Sequence, residues 1–190
     1  MTQDELMERA VDELLRGVLG DAWDPLNNPH QKDTPKRYVR ALKEILVPGD
    51  SFKFTTFPNE KQTTEMVIVG PIRYHSVCAH HILPFFGDAW VAYIPDKRIA
   101  GLSKLARAVK WMSKGLWTQE DLTSEIASFL EEELEPIGVA VRMEGEHLCM
   151  TIRGVQSPGT VTTTSELRGV FMHPKPGADP RGEFFNAIGR

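Results

Sequence analysis

The sequence has little cysteine and no long apolar run, and each shortage excludes a class of protein. Two cysteines among 190 residues cannot build a disulfide framework, so in a reducing compartment we expect thiols or metal ligands. No segment approaches the ~20 apolar residues that a membrane-spanning helix requires. The N-terminal segment MTQDELMERA is acidic and has no apolar stretch typical of a secretion signal. We therefore expect one globular, cytoplasmic protein with no membrane partner.

Positive charge is also in short supply. The chain has 22 Lys and Arg residues against 26 Asp and Glu residues, a formal net charge of −4. A protein with this balance has no overall attraction to nucleic acid, so we expect no nucleic-acid partner. An anionic ligand would have to be bound by a local cluster of basic residues.

Residues 1–50 are predicted to form an N-terminal helical segment. Thr2 and Glu5 have the spacing of a capping box, and apolar residues then recur at helical intervals. The pair Thr34-Pro35 is typical of the start of a second helix, with Thr34 as its cap. The segment is therefore expected to be a pair of helices.

Residues 51–190 are predicted to form one α+β unit. Two helices are expected to begin at the capping residues Ser103 and Thr118. Segments rich in β-branched and aromatic residues surround them. The predicted strands are 65–69, 72–76, 88–94, 139–144, 148–153, 160–164 and 168–171. This order favours a sheet of antiparallel hairpins.

Both cysteines lie close to histidines, which suggests a metal site. Cys78 is followed by His80 and His81, and His147 precedes Cys149 by two residues. Thiol and imidazole groups are the ligands that Zn²⁺ prefers. On the predicted strand, His147 and Cys149 would point to the same face. The competing interpretation is that these are ordinary buried thiols and unrelated histidines.

The spacing leaves the kind of metal site open. If Cys78, His81 and Cys149 are the ligands, a fourth position stays available for water, and His80 and His147 can act as acids or bases beside it. Such a site would catalyse hydrolysis. If His147 completes the tetrahedron instead, the site is closed and structural.

A basic cluster at the start of a predicted helix is suited to phosphate. Ser103 is the expected cap, and Lys104 and Arg107 lie three residues apart in the first turn. Arg153 would share a strand face with His147 and could add another cation. Solvated surface residues would produce the same pattern.

Acidic residues open the next predicted helix. The helix dipole alone can explain Glu120 in the segment Thr118-Gln119-Glu120-Asp121. An inward-facing Glu120 could also accept two N–H bonds from a ligand such as guanine.

Taken together, these segments resemble the GTP cyclohydrolase I family. The resemblance extends from the Thr34-Pro35 segment to Glu183-Phe184. The motifs that carry it include Cys78-x-His80-His81, Gly101-Leu-Ser-Lys-Leu-Ala-Arg107, Gln119-Glu120, His147-x-Cys149 and Thr162-Thr-Thr-Ser165.

The resemblance implies a fold, an activity and an assembly. The fold would be the tunnelling fold, an antiparallel sheet with helices packed on one face and an N-terminal helical pair. The activity would be zinc-dependent conversion of GTP and water to 7,8-dihydroneopterin triphosphate and formate, the first step toward tetrahydrofolate or related pterins. The assembly would be a homodecamer of two pentamers, a β-barrel oligomer with active sites between subunits.

The resemblance also implies roles for individual residues. Cys78, His81 and Cys149 would bind zinc. His80 and His147 would be catalytic, one of them protonating N7 of the purine while zinc-activated water attacks C8, and Ser103 would assist the later sugar steps. Substrate contacts would come from Lys104, Arg107, Arg153, Gln119 and Glu120.

One position departs from the family pattern. The family usually has Cys-Glu-His-His, whereas this chain has Ala79 between Cys78 and His80. Loss of a carboxylate beside a metal site can lower activity by about 10- to 100-fold. A catalytically weakened GTP- or pterin-binding paralogue is therefore the alternative to an active enzyme.

Overall fold

A computed structural model of the chain describes residues 1–49 and 52–189. The chain divides into two compact units, Met1–Val47 and Pro48–Arg190. The predicted boundary between residues 50 and 51 lies outside the described residues. None of the described helices is both long and apolar enough to cross a membrane.

In chain order the elements are α1 Gln3–Leu19, a 3-10 turn Gly20–Ala22, α2 Thr34–Leu46, β1 Thr56–Pro58, β2 Val67–Cys78, β3 Pro84–Ile94, β4 Arg98–Ala100, α3 Leu102–Met112, β5 Leu116–Trp117, α4 Gln119–Leu134, β6 Gly138–His147, α5 Leu148–Thr151, β7 Val161–Gly169 and α6 Pro180–Ala187.

The first unit is the pair of helices α1 and α2. The predicted capping box begins α1, since the N–H of Glu5 donates to Thr2 Oγ1 (3.2 Å) and the N–H of Thr2 donates to the Glu5 carboxylate (2.7 Å). Thr34 is already helical, with Asp33 at the N-cap and no side-chain cap, so the predicted capping role of Thr34 is wrong. Its hydroxyl instead donates to the carbonyl oxygen of His30 (3.3 Å).

The second unit contains a five-stranded sheet with the strand order β5-β2-β3-β6-β7. The pairs β2-β3, β3-β6 and β6-β7 are antiparallel, while the short β5 runs parallel to β2. The predicted strands 65–69 and 72–76 form the single strand β2, with a register shift between Val69 and Ile72. Strands β1 and β4 make a separate antiparallel pair. The α+β class is therefore confirmed.

Helices cover both faces of this sheet. On one face, Leu105 of α3 and Ile126 of α4 belong to the same buried cluster as Val91 of β3. On the other face, Phe184 of α6 belongs to a cluster with Trp90 of β3. The predicted packing of helices on one face therefore holds for α3 and α4 and is wrong for α6. Strand β3 is apolar on both faces, so its second face also needs to be covered.

The predicted strand 148–153 is wrong. Strand β6 ends at His147, and Leu148–Thr151 forms the single helical turn α5. The Thr151 hydroxyl donates to the carbonyl oxygen of His147 (3.1 Å), which stabilises the turn locally. Arg153 lies in the exposed segment after α5 and does not share a strand face with His147.

Helices α3 and α4 begin differently. Thr118 caps α4 as predicted, because its Oγ1 accepts from the N–H of Asp121 (3.1 Å). Gly101, not Ser103, is at the N-cap of α3, and its carbonyl oxygen accepts from the N–H of Lys104 (2.7 Å). The predicted capping role of Ser103 is therefore wrong, and its side chain is exposed in the first turn.

Candidate functional site

Three potential metal ligands converge where β2 ends. The ligand atoms of Cys78, His81 and Cys149 all lie within 4.8 Å of one another. Cys78 is the last residue of β2, and a tight turn returns the chain to β3: the N–H of Cys78 donates to Leu83 (2.8 Å) and the N–H of Ile82 donates to Cys78 (2.9 Å). This turn brings His81 Nδ1 to 3.8 Å from Cys78 Sγ.

Cys149 reaches the same point from α5. It belongs to a helical turn and not to a strand, so the predicted same-face argument does not explain its position. The end of β6 is paired with the start of β3 (His147 opposite Phe85), and this places α5 next to the turn that carries His81. The residues converge through sheet pairing, not through i and i+2 alternation.

The thiol of Cys149 is held in a setting that disfavours its negative charge. Burial raises the pKa of the Cys149 thiol, and the neighbouring Cys78 raises this pKa further. Two thiolates this close repel each other unless a cation lies between them. A soft cation is therefore the kind of ligand that this pair of sulfurs suits.

A cavity of about 200 Å³ contains the three residues. His80 and His147, which the sequence suggested as acids or bases, also line the cavity, together with Gln119 and Glu120. The complete lining is Cys78, His80, His81, Trp117, Thr118, Gln119, Glu120, His147, Cys149, Met150 and Thr162.

His147 is held on two sides. Its ring stacks on Phe85 with centroids 4.5 Å apart and planes 3° apart. Its Nε2 lies 2.9 Å from Oε1 of Gln119. Burial lowers the pKa of the His147 imidazole, and the negative charge of Glu120 partly opposes this effect. Nε2 faces an amide oxygen, and His147 is not in the group of described residues whose ligand atoms lie within 4.8 Å of one another, so a three-ligand site fits better than one with His147 as the fourth ligand.

The predicted phosphate-binding residues are not in this cavity. Ser103 and Arg107 are exposed on α3, which also carries Lys104, and Arg153 is exposed after α5. None of these four residues lines the cavity. The described chain therefore assembles the three potential metal ligands, the two histidines and Glu120 in one place. Of the predicted cations, Arg153 lies close enough for its charge to oppose the rise in the pKa of Cys149, whereas Lys104 and Arg107 are on α3 and outside the cavity.

Two residues at the site, Phe85 and Thr162, were not predicted from the sequence. Phe85 gave no signal beyond its place in an apolar strand. Thr162 belongs to a motif that carried the family resemblance, but no role was predicted for it. Its carbonyl oxygen accepts from Nε2 of Gln119 (3.1 Å), so the Thr-rich strand β7 supports the site from behind.

Comparison with known proteins shows the family to which the chain belongs. A family model described as GTP cyclohydrolase I matches residues 7–188. GTP cyclohydrolase 1 of Aquifex aeolicus (strain VF5) is 48% identical over 168 residues, which cover 88% of this chain and 89% of that protein. GTP cyclohydrolase 1 of Sulfurihydrogenibium sp. (strain YO3AOP1) is 45% identical over 185 residues, covering 96% and 93%. Among solved structures, the apo archaeosine synthase QueF-Like has a TM-score of 0.42 at 17% identity, over 55% of this chain and 92% of that one.

The chemistry of the site indicates a class of protein, and the sequence matches then show the family. A possible site of two thiols and one imidazole, beside two further histidines, is suited to a catalytic metal ion with one open coordination position. The chain belongs to the GTP cyclohydrolase I family, which confirms the resemblance seen in its motifs.

Proposed function

We propose that this chain converts GTP and water to 7,8-dihydroneopterin triphosphate and formate, at a zinc ion held by Cys78, His81 and Cys149. The observation that carries the proposal is the convergence of these three ligand atoms within 4.8 Å, in a cavity that also contains two other histidines. Within the cell, this reaction would be the first step toward tetrahydrofolate or a related pterin.

The donor set fits zinc. Two sulfurs and one imidazole nitrogen are ligands of the type that zinc binds, and three protein ligands leave one position for water or substrate, as in catalytic sites. When bound, zinc would supply the Lewis acidity that activates water near neutral pH.

The remaining groups would bind the purine and move protons. We assign the proton given to purine N7 to His80 or His147, because both line the cavity beside the ligands. Glu120 is exposed in the same cavity, and its carboxylate can accept two N–H bonds from the guanine ring. Glu120 would thereby set both the position of the ring and the preference for guanine.

The triphosphate would be bound by residues of α3 from a neighbouring subunit, together with Arg153 near Cys149. Lys104, Arg107 and Arg153, with the hydroxyl of Ser103, would supply these contacts, and none of them lines the cavity of its own chain. This separation supports active sites shared between subunits of a homo-oligomer. We propose the decamer of two pentamers, built around a β-barrel, that the family resemblance implies, and we keep for Ser103 the assisting role in the sugar steps.

Ala79 does not favour the weakened-paralogue alternative. The residue is exposed and does not line the cavity. Its N–H donates to the carbonyl oxygen of Trp117 (3.0 Å), a backbone contact that any non-proline residue can make. We therefore propose that turnover survives the missing carboxylate.

The first test is formate release from GTP by the zinc-loaded protein. We expect His80→Gln and His147→Gln each to lower kcat by about 10²- to 10⁴-fold. His75→Gln is the matched control, because His75 is an exposed histidine of β2 outside the cavity. Equal activity in all three variants would contradict the assignment of the two histidines.

Shared sites have a separate test. His80→Gln carries a defect in the cavity, and Arg107→Ala carries one in the proposed triphosphate contact on α3. If the two sets of residues come from different subunits, mixed oligomers contain some sites without either defect. We expect mixing and reassembly of the two inactive variants to restore part of the activity, whereas no recovery would contradict sites built between subunits.

A further inference from the structure

The side-chain amide of Gln119 has only one orientation that its surroundings allow. The residue is buried, with 1% of its surface exposed. Its Nε2 lies 3.3 Å from the carbonyl oxygen of Met143 and 3.1 Å from that of Thr162. Carbonyl oxygens can only accept, so the NH₂ group must face them. The amide oxygen is thereby left facing His147, 2.9 Å from its Nε2.

Two threonine hydroxyls lead to the same orientation independently. The Thr123 hydroxyl donates to the backbone carbonyl oxygen of Gln119 (2.6 Å). A hydroxyl has a single proton, so in the 2.6 Å contact between the two hydroxyls Thr164 must donate to Thr123. The Thr164 oxygen then has no proton left for Gln119, and it accepts from Gln119 Nε2 (3.1 Å). These three hydrogen bonds therefore form a closed network in which Gln119 Nε2 donates, as it also does toward the two carbonyl oxygens.

The orientation of the Gln119 amide determines which nitrogen of His147 carries the proton. An amide oxygen can only accept, so the Nε2 atom that faces it must be an N–H. Nδ1 of His147 has no hydrogen-bond partner among the described residues, and stacking on Phe85 restricts the plane of the ring. Nδ1 is therefore the nitrogen with a lone pair in the neutral ring.

A glycine makes room for the contact. A Cβ on Gly145 would lie 2.5 Å from Gln119 Oε1 and 2.7 Å from the Tyr74 hydroxyl. Both distances are far inside normal packing, so any larger residue would displace the amide oxygen or the tyrosine. Gly145 thus keeps open the space that Gln119 needs to reach His147.

We propose that Gln119 is a positioning residue, which holds His147 as the Nε2–H tautomer so that Nδ1 is the atom that exchanges a proton with the substrate. In the proton-donating step, the Nδ1–H bond of the imidazolium breaks and an N–H bond forms at the purine nitrogen. The ring is left neutral with its proton on Nε2, still donated to Gln119. This inference rests on the proposed catalytic role of His147, and it gives the Gln119 side chain a role other than contact with guanine.

Nuclear magnetic resonance of ¹⁵N-histidine-labelled protein tests the tautomer without any assay of activity. The His147 signals are assigned by their loss in His147→Gln, and spectra are recorded for the metal-free and zinc-loaded protein. We expect neutral His147 to have a protonated nitrogen at Nε2, with a slowly exchanging proton, and an unprotonated nitrogen at Nδ1. A neutral His147 ring with its proton on Nδ1 and none on Nε2 would overturn the proposal, even if His147 proves to be catalytic.

Kinetics separate positioning from substrate binding. Gln119→Met keeps the length of the side chain and removes its polar atoms, and we expect kcat to fall by about 10- to 100-fold with KM within about twofold. Gly145→Ala should have a similar effect by displacing Oε1. Thr164→Ser keeps the hydroxyl and should retain wild-type kcat. A rise in KM at unchanged kcat in Gln119→Met would overturn the proposal and assign Gln119 to substrate binding. If Gln119→Met does not fold, the NMR spectrum of the wild-type protein still tests the proposed tautomer of His147.

Discussion

The imidazole of His147 lies flat on the ring of Phe85, with centroids 4.5 Å apart and planes 3° apart. The two residues are directly opposite in the pairing of β3 with β6. Phe85 is completely buried, so the sheet core itself fixes one face of a histidine whose edge lies in the cavity. The position of a proposed catalytic group is therefore set by core packing and not by a flexible loop.

Replacing Phe85 should affect catalysis as well as stability. In Phe85→Leu we expect kcat to fall by about 10-fold, because the His147 ring loses the surface that restricts its plane. Loss of the aromatic contact should also lower the free energy of unfolding by about 1 kcal/mol. Steady-state kinetics and urea unfolding measure the two effects.

The matched control is Phe171→Leu. Phe171 is 1% exposed and packs on the opposite face of the sheet. We expect this variant to lose stability while kcat stays unchanged. A similar loss of kcat in both variants would show that general destabilisation, and not ring position, explains the result.

Metal binding should depend on His81, in the turn after β2, and not on His75 within β2. We expect about one zinc ion per chain after dialysis, a large decrease in zinc content in His81→Ala, and full zinc content in His75→Ala. Zinc should also raise the Tm, because free zinc at 100 times its Kd stabilises the folded state by about 2.7 kcal/mol. Elemental analysis and thermal unfolding with and without a chelator check both effects. Equal zinc loss in the two variants would contradict the proposed ligand set.

Helix α6 should contribute substantially to stability. Phe184 is completely buried against the second face of the sheet, so Phe184→Ala should lower the free energy of unfolding by about 3–5 kcal/mol. Asn186→Ala, at an exposed position of the same helix, should have little effect. Chemical denaturation of both variants tests this, and unchanged stability in Phe184→Ala would mean that α6 does not cover the sheet in solution.

Asp12 should make the stability of the N-terminal helical unit depend on pH. Hydrogen bonds from Arg16 and then from Trp23 hold the pKa of Asp12 below its ordinary value of 3.8. A carboxylate with a lowered pKa stabilises the folded state fully above its ordinary value, and the contribution is lost as pH falls through the folded pKa. Asp12→Asn should cost about 0.5–1 kcal/mol at pH 7 because the pair is partly exposed.

The pH dependence can be measured by the unfolding of the wild-type and Asp12→Asn proteins between pH 7 and pH 3, followed by far-ultraviolet circular dichroism. The difference between wild type and variant should shrink at the acidic end. A difference that stays constant over this range would contradict the lowered pKa.

Local signals predicted the parts of the fold that depend on local physics. Thr2, Glu5 and Thr118 cap helices as expected, because a cap needs only a side-chain oxygen and an N–H two or three residues away. The segment 148–153 has the composition of a strand, but α5 forms there, since a strand also needs a partner and that information is not local.

In the site, too, local sequence predicted some features, and tertiary contacts determined the others. The ligand types were readable because both cysteines lie beside histidines. The contact of Gln119 with His147 joins residues 28 positions apart, and it follows from how α4 packs on β6 and β7, which spacing does not reveal. The substrate contact that the family resemblance implies for Gln119 stays a prediction, and Gln119 does line the cavity.

The most direct test of the account is formate release and pterin fluorescence from GTP with the zinc-loaded protein, measured beside Ala79→Glu. We expect activity in both proteins, with kcat values within about 10-fold of each other, because Ala79 is exposed and outside the cavity. Activity that appears only in Ala79→Glu would show that the chain with Ala79 does not turn GTP over, and it would contradict the proposal that turnover survives the missing carboxylate. Absence of formate from both would contradict the proposed reaction.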